Sequence, residues 1–132
     1  MSKKLFGNYR NPDLALLLLR VGLGAVFLAH GLMKVQNLDG TSMFLESLGL
    51  PPFFGPILAS IEFLGGMALL VGAFPRLASL LLAIDMAFAI YLVRFPKGFV
   101  SGFEFEFVLL LMAVAVYFAG GGKYGVMHKT DW

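Results

Sequence analysis

Five ionisable side chains stand where hydrocarbon is expected. Arg20 and His30 interrupt LLLLRVGLGAVFLAHGLMK (16–34), Glu62 sits in SIEFLGG, Asp85 in LLAIDMAFA and Glu106 in EFEFVLLLM. A charged residue at the centre of a membrane span costs about 2.5–3.5 kcal/mol on insertion scales, so such groups persist where they meet one another or water. Carboxyl and imidazole groups in an apolar site are the types that bind polar ring substituents and carry protons. Arg20 is a fixed cation, and its natural partners are the carboxylates.

The elements that must position these groups follow from composition. The chain has 132 residues, 59% of them hydrophobic and only 14% charged, with a mean hydropathy of +0.85. A soluble domain of this size cannot hide so much apolar surface. Four apolar runs are long enough to span a bilayer, at about 13–35, 55–74, 76–95 and 104–120. The expected fold is all-α, a single membrane-embedded four-helix bundle over residues 1–132. Pro12 and Asp13 suit a helix start, Gly-Leu-Pro-Pro (49–52) and Pro56 mark entry to the second span, and Pro75–Arg76 make a tight turn between antiparallel neighbours. Pro96, Lys97 and Gly98 separate the third span from the fourth, and Gly120–Gly122 close it. FEFEF (103–107) alternates like a strand, but the apolar run behind it and the cost of unpaired backbone in lipid make it a helix start. In 36–54, the residues Met43, Phe44, Leu45, Leu48 and Leu50 form either a short amphipathic segment on the bilayer surface or a loop packed on the bundle.

The basic N-terminus shows no small-residue cleavage site, so the first run is read as a retained span. Lys3, Lys4, Arg10, Arg76, Lys123 and Lys129 fall on one side, and Lys34, Arg94 and Lys97 on the other. The positive-inside rule then puts both termini in the cytoplasm of a multi-pass protein of the cell (plasma or inner) membrane. Lys34 and Arg94 also read as snorkelling span residues. The basic residues are scattered, which argues against nucleic acid as a partner. There is no cysteine, which excludes disulfides and cysteine-held iron–sulfur clusters. Haem held by two histidines would need His128, in the polar tail, and the acidic residues lack a tight metal-ligand spacing.

Helical rise places Arg20 about 10 Å from the cytoplasmic end, Asp85 about 13 Å and Glu62 about 18 Å, with Glu106 and His30 at about 21 and 25 Å. Arg20 is therefore expected to face Glu62 and Asp85, and His30 to reach Glu106 nearer the outer surface. Arg20, Gly24, Phe27, Gly31 and Lys34 share one stripe of the first span, with His30 on its flank. Glu104 and Glu106 point in different directions, and Glu106 is the deeper. An Arg–carboxylate pair can also serve only to fix helix register, and a lone histidine is more often a hydrogen-bonded core residue. Five such groups in four short helices favour a polar cavity, with phenylalanine and methionine walls suited to a flat hydrophobic ring.

The spans RVGLGAVFLAHGLMKV and SIEFLGGMALLVGAFPRLASLLLAIDM, with a fourth span that begins with glutamate and ends GGGKYGV, resemble the DoxX family of small four-helix membrane proteins. The likeness covers about residues 13–126. It implies a membrane oxidoreductase component, since relatives are linked to thiosulfate:quinone oxidoreductase, catechol and quinone detoxification, and oxidative-stress complexes. Distant animal relatives act as receptor-assembly chaperones, so fold alone does not settle activity. Arg20 and Glu62 match the family's polar span residues, and Glu106 the glutamate of the fourth span. The ending KYGVMHKTDW departs from the Ser-Leu-Asp-like stretch with which relatives often close.

Three readings compete. In the first, the protein is a quinone-interacting redox subunit: Arg20, Glu62 and Asp85 bind or proton-couple the quinone head, and His30 and Glu106 connect outward. No electron carrier is legible, so a soluble redox partner would supply electrons. The second is a small-molecule or proton transporter or channel, for which neither an internal repeat nor a broken helix is legible. The third is a non-catalytic assembly or scaffold protein. The lipid bilayer is the common surrounding, and a homo-oligomer is compatible with all three.

Overall fold

The computed structural model describes residues 10–127 and Trp132. His128, and the Lys3, Lys4 and Lys129 used for orientation, lie outside the described residues. Helix α1 (Pro12–Gln36) starts where Asn11 accepts a hydrogen bond from the Leu14 amide at 3.0 Å, with Pro12 in the first turn. A short helix, α2 (Leu38–Ser47), lies between α1 and α3 (Phe54–Val71). Helix α4 (Pro75–Ala89) widens into a π-turn over Ile90–Arg94 and ends in a 3₁₀ turn, Phe95–Lys97. After an irregular turn over 99–103, α5 runs Glu104–Ala119. Four segments are long and apolar enough to cross a membrane, at Pro12–Gln36, Phe54–Val71, Pro75–Lys97 and Phe99–Ala119.

The expected all-helical architecture is present, and FEFEF does open a helix. Two boundaries differ. The second span ends at Val71, because Gly72 (φ 77°) caps it in the left-handed conformation. The turn to the next helix is therefore Gly72–Phe74, and Pro75 opens α4 instead of lying in the turn. The third span loses α-helical regularity at Ile90, where the sequence had shown an unbroken apolar run. The 36–54 segment holds a short helix that packs on the bundle. Leu45 of α2 is buried against the bundle, whereas Met43 is exposed.

The bundle is built from two closely packed pairs, α1 with α3 and α4 with α5. The α1–α3 contact is nearly backbone on backbone. A Cβ on Gly31 would lie 2.2 Å from the Phe63 amide nitrogen, and one on Gly66 would lie 2.4 Å from that of Leu28. Glycine at these positions fixes an antiparallel register in which residue 31 faces 62–63 and residue 24 faces 66. Around this contact a core of Leu23, Phe27, Leu69, Leu82, Ala113 and Val116 closes the centre of the bundle. Large apolar side chains such as Leu18, Leu64 and Phe118 are exposed, as a lipid-facing surface requires.

Gly66→Leu should destabilise the protein by about 3 kcal/mol or prevent its folding, because the neighbour that must move is backbone. Gly22→Ala, whose Cβ would meet only Met112 Cε at 3.9 Å, should leave stability within about 0.5 kcal/mol. Denaturant unfolding in detergent micelles measures both, and equal losses would remove the register argument.

Candidate functional site

The antiparallel register decides which charges meet. Gly31 lies against the backbone of Glu62 and Phe63, so the side chain one turn further along α1, Lys34, reaches Glu62. Its ammonium lies 2.8 Å from Glu62 Oε1, and the Glu62 side chain is almost wholly buried. Asp85, on α4, places its carboxyl against that of Glu62, with the Lys34 ammonium close by. One ammonium thus faces two carboxyls. Beyond Asp85, the π-turn directs Arg94 towards the first turn of α5, where Nε lies 3.1 Å from Glu106 Oε1. Glu104 instead accepts the Ser101 amide at 3.0 Å and caps the turn. His30 Nδ1 is 2.8 Å from the Val26 carbonyl, and its ring lies 6.3 Å from that of Phe105.

All six of these residues, His30, Lys34, Glu62, Asp85, Arg94 and Glu106, line one cavity of about 670 Å³. The remaining wall is almost entirely apolar, from Phe27, Leu58, Ile61 and Met86 among others. Phe44, Leu45 and Leu48, from α2 and the residue after it, roof the cavity at the end away from the chain termini. Among the described residues, no group of three or more His, Cys, Asp or Glu is placed to hold a metal ion.

The expected pairing of Arg20 with Glu62 and Asp85 is not formed. Arg20 and Lys34 lie on the same stripe of α1, separated by about 21 Å of helical rise. The glycine register brings Glu62 to the far end of that stripe. Arg20 is opposite the end of α3, 1% exposed, and its guanidinium Nη2 donates to the Tyr124 carbonyl. Gly72 and Gly125 approach so closely that a Cβ on either would lie 2.4 and 2.8 Å from Arg20 Nη1. The segment after α5 folds back over this end, where the Val126 and Met127 amides donate to the Val71 and Gly72 carbonyls at 3.1 and 3.2 Å. The Lys123 amide donates to Asp13 Oδ1 at 3.1 Å. Arg20 thus holds the C-terminal segment to the bundle and lies outside the cavity.

The expected His30–Glu106 contact is also replaced, because Arg94 occupies Glu106 and His30 turns to its own helix backbone. Sequence reasoning had treated Lys34 and Arg94 as snorkelling or loop charges. Both turn inward. The signal for Lys34 was present in the stripe it shares with Gly31. That for Arg94 was not, because it depends on the π-turn.

Residues 15–94 match the DoxX family. A Bacillus subtilis (strain 168) protein named "Putative oxidoreductase CatD" is 36% identical over 82% of this chain and 81% of its own. The Escherichia coli (strain K12) "Inner membrane protein YqjF" is 32% identical over 54% of this chain and 55% of its own. "Uncharacterized membrane protein Rv3486" of Mycobacterium tuberculosis (strain ATCC 25618 / H37Rv) is 30% identical over 86% and 79%. No solved structure matches the chain.

A double-mutant cycle separates the observed pairing from the one expected. Lys34→Met combined with Glu62→Gln should show a coupling of about 1–3 kcal/mol in unfolding free energy. Arg20→Met combined with Glu62→Gln should be additive within about 0.5 kcal/mol, because the sites share no contact. Coupling in the second cycle alone would reverse the assignment.

Proposed function

Because this chain belongs to the DoxX family of membrane proteins, we propose that it is a quinone-interacting membrane oxidoreductase subunit whose site is the Lys34–Glu62–Asp85 and Arg94–Glu106 cavity. The observation that carries this reading is an apolar chamber of ligand size whose few polar groups converge from α1, α3, α4 and α5. A quinone ring is flat and apolar with two oxygens at opposite ends, and it gains or loses protons with its electrons. The phenylalanine and leucine walls suit the ring. Lys34, Glu62 and Asp85 at one side, and Arg94 and Glu106 at another, supply charged and hydrogen-bonding groups for the oxygens.

Glu62 and Asp85 are the pair suited to proton exchange. For the cluster to be neutral in lipid, two carboxyls against one ammonium must hold one proton between them. That proton can be passed to a ring oxygen and replaced. His30, on the flank of α1, stands between the cavity and the outward face and suits relay to that side. Two electrons and two protons convert quinone to quinol; the carboxyls handle the protons, and a soluble redox partner supplies the electrons. Arg20 has no part in this chemistry and acts by holding the C-terminal segment.

The inward turn of Lys34 and Arg94 also supports an orientation with both termini in the cytoplasm of the cell membrane. It leaves Lys97 as the basic loop residue on the opposite side, which widens the positive-inside asymmetry. The Bacillus relative's name supports an oxidoreductase role.

The test is binding of decylubiquinone to the purified protein in lipid nanodiscs. Saturable binding should be weakened at least about tenfold by Glu62→Gln with Asp85→Asn, the range expected when buried polar partners are removed from a ligand. Arg20→Lys, checked for retained fold, should bind as wild type does. Absence of saturable binding would move the assignment to transport or assembly.

A further inference from the structure

A residue that both lines the cavity and is exposed marks a place where the cavity meets the surface of the bundle. Ile57 of α3 is 46% exposed, and Ile84 and Phe88 of α4 are 45% and 59% exposed, yet all three line the cavity. Leu58 and Ile61 of α3 and Leu81 of α4 complete the same edge. Helical phase explains why. On α3, Leu58 and Ile61 lie on the flank of Glu62 turned away from Phe63 and Gly66, which touch α1. On α4, Leu82 packs against Gly65. Asp85, Phe88 and Ile84 are turned progressively further from Leu82, by about 60°, 120° and 160°. The Gly65–Leu82 contact closes the gap between α3 and α4 on the side of the termini. One turn beyond it, at Glu62 and Asp85, the cavity begins.

The other margins differ. Between α1 and α5, the rings of His30 and Phe105 approach to 6.3 Å across the gap. Beside α2, a smaller pocket of about 310 Å³ shares His30, Lys34, Phe44 and Leu58 with the cavity. Asn37 and Thr41 line that pocket, a polar margin that suits water. The six residues of the α3–α4 edge are all apolar, and they lie inside the two spans, Phe54–Val71 and Pro75–Lys97. This opening therefore meets hydrocarbon.

From this geometry we infer that the cavity opens sideways into the bilayer between α3 and α4, and that its ligand is a membrane-dissolved molecule with a hydrocarbon chain. The ring enters as far as Glu62 and Asp85, and the chain stays in the opening, against Ile57, Ile61, Ile84 and Phe88. A chain already dissolved in lipid gains no hydrophobic free energy by moving into protein, because lipid tails are as apolar as leucine. A closed chamber would offer such a chain nothing. An open edge lets the ring leave lipid for the polar groups while the chain remains in hydrocarbon throughout. The inference rests on the quinone reading of the cavity and adds the form of the ligand and the side by which it enters.

The experiment is photolabelling of the wild-type protein in phosphatidylcholine nanodiscs by a decylubiquinone analogue that carries a diazirine midway along its decyl chain. Labelled residues are mapped by peptide mass spectrometry with and without excess decylubiquinone, and saturable binding of the analogue is measured in the same preparation. Excess decylubiquinone displaces the probe from a site but not from bulk lipid, so only labelling that it removes reports the chain's bound position. That labelling should fall on residues 57–61 and 84–88 and be lost on competition. Saturable binding without competable labelling there, or with competable labelling confined to Val26 and Phe105 or to α2, overturns the inference and leaves the quinone site standing. Absence of saturable binding overturns both the inference and the quinone reading.

Discussion

The Lys34–Glu62 ion pair exists because two helix backbones touch one turn away from it. Gly31 lets α1 approach α3 until its Cα hydrogens meet the Phe63 amide, and that contact sets the register of the whole pair. With the register set, the 2.8 Å ammonium–carboxylate distance follows. Asp85 finds Glu62 because α4 packs on α3 across the same layer. In lipid there is no water to compensate a misplaced charge, so a shift of one helical turn would strand both partners. Packing of small residues and pairing of charges are here one constraint.

The same constraint divides the molecule into two ends with different tasks. At the end that carries the termini, Arg20 is enclosed by glycines and by the carbonyl of Tyr124. The guanidinium's several donors suit it to holding backbone from two segments in place. At the other end the helices separate, α2 spans the gap, and the cavity opens between them. The π-turn at Ile90–Arg94 belongs to this end. It rotates Arg94 inward, and without it Glu106 would face the cavity with no cation.

The four spans, the antiparallel order and the glutamate chosen in the fourth span could be read from hydropathy, turn residues and helical periodicity. Each depends on local sequence. The pairing of charges could not be read that way. Depth along a span was counted from estimated ends, and α3 ends three residues sooner than its apolar run, at a left-handed glycine. That shift alone would bring Glu62 nearer the depth of Arg20; the backbone contact at Gly31, which no single sequence displays as such, is what sets Glu62 against Lys34. Arg94 was misjudged for a different reason. A π-turn is a non-local compromise between helix and loop, and an apolar run broken only by Pro96 gives no sign of it.

Three carboxyls and two cations share the cavity, and the imbalance is informative. A purely structural network gains most when each charge is matched, because every unmatched buried atom costs stability that a hydrophobic replacement would recover. Neither end meets that condition in full. Arg20 Nη2 reaches the Tyr124 carbonyl and backbone closes over the guanidinium, but Nε is buried without a partner among the described residues. In the cavity, Asp85 Oδ2 and Glu106 Oε2 are likewise buried without a partner among the described residues and border space of ligand size. A polar ligand entering that space supplies partners that the fold does not. The bundle therefore carries two kinds of buried charge, one that holds the fold together and one that is complete only with a ligand in place.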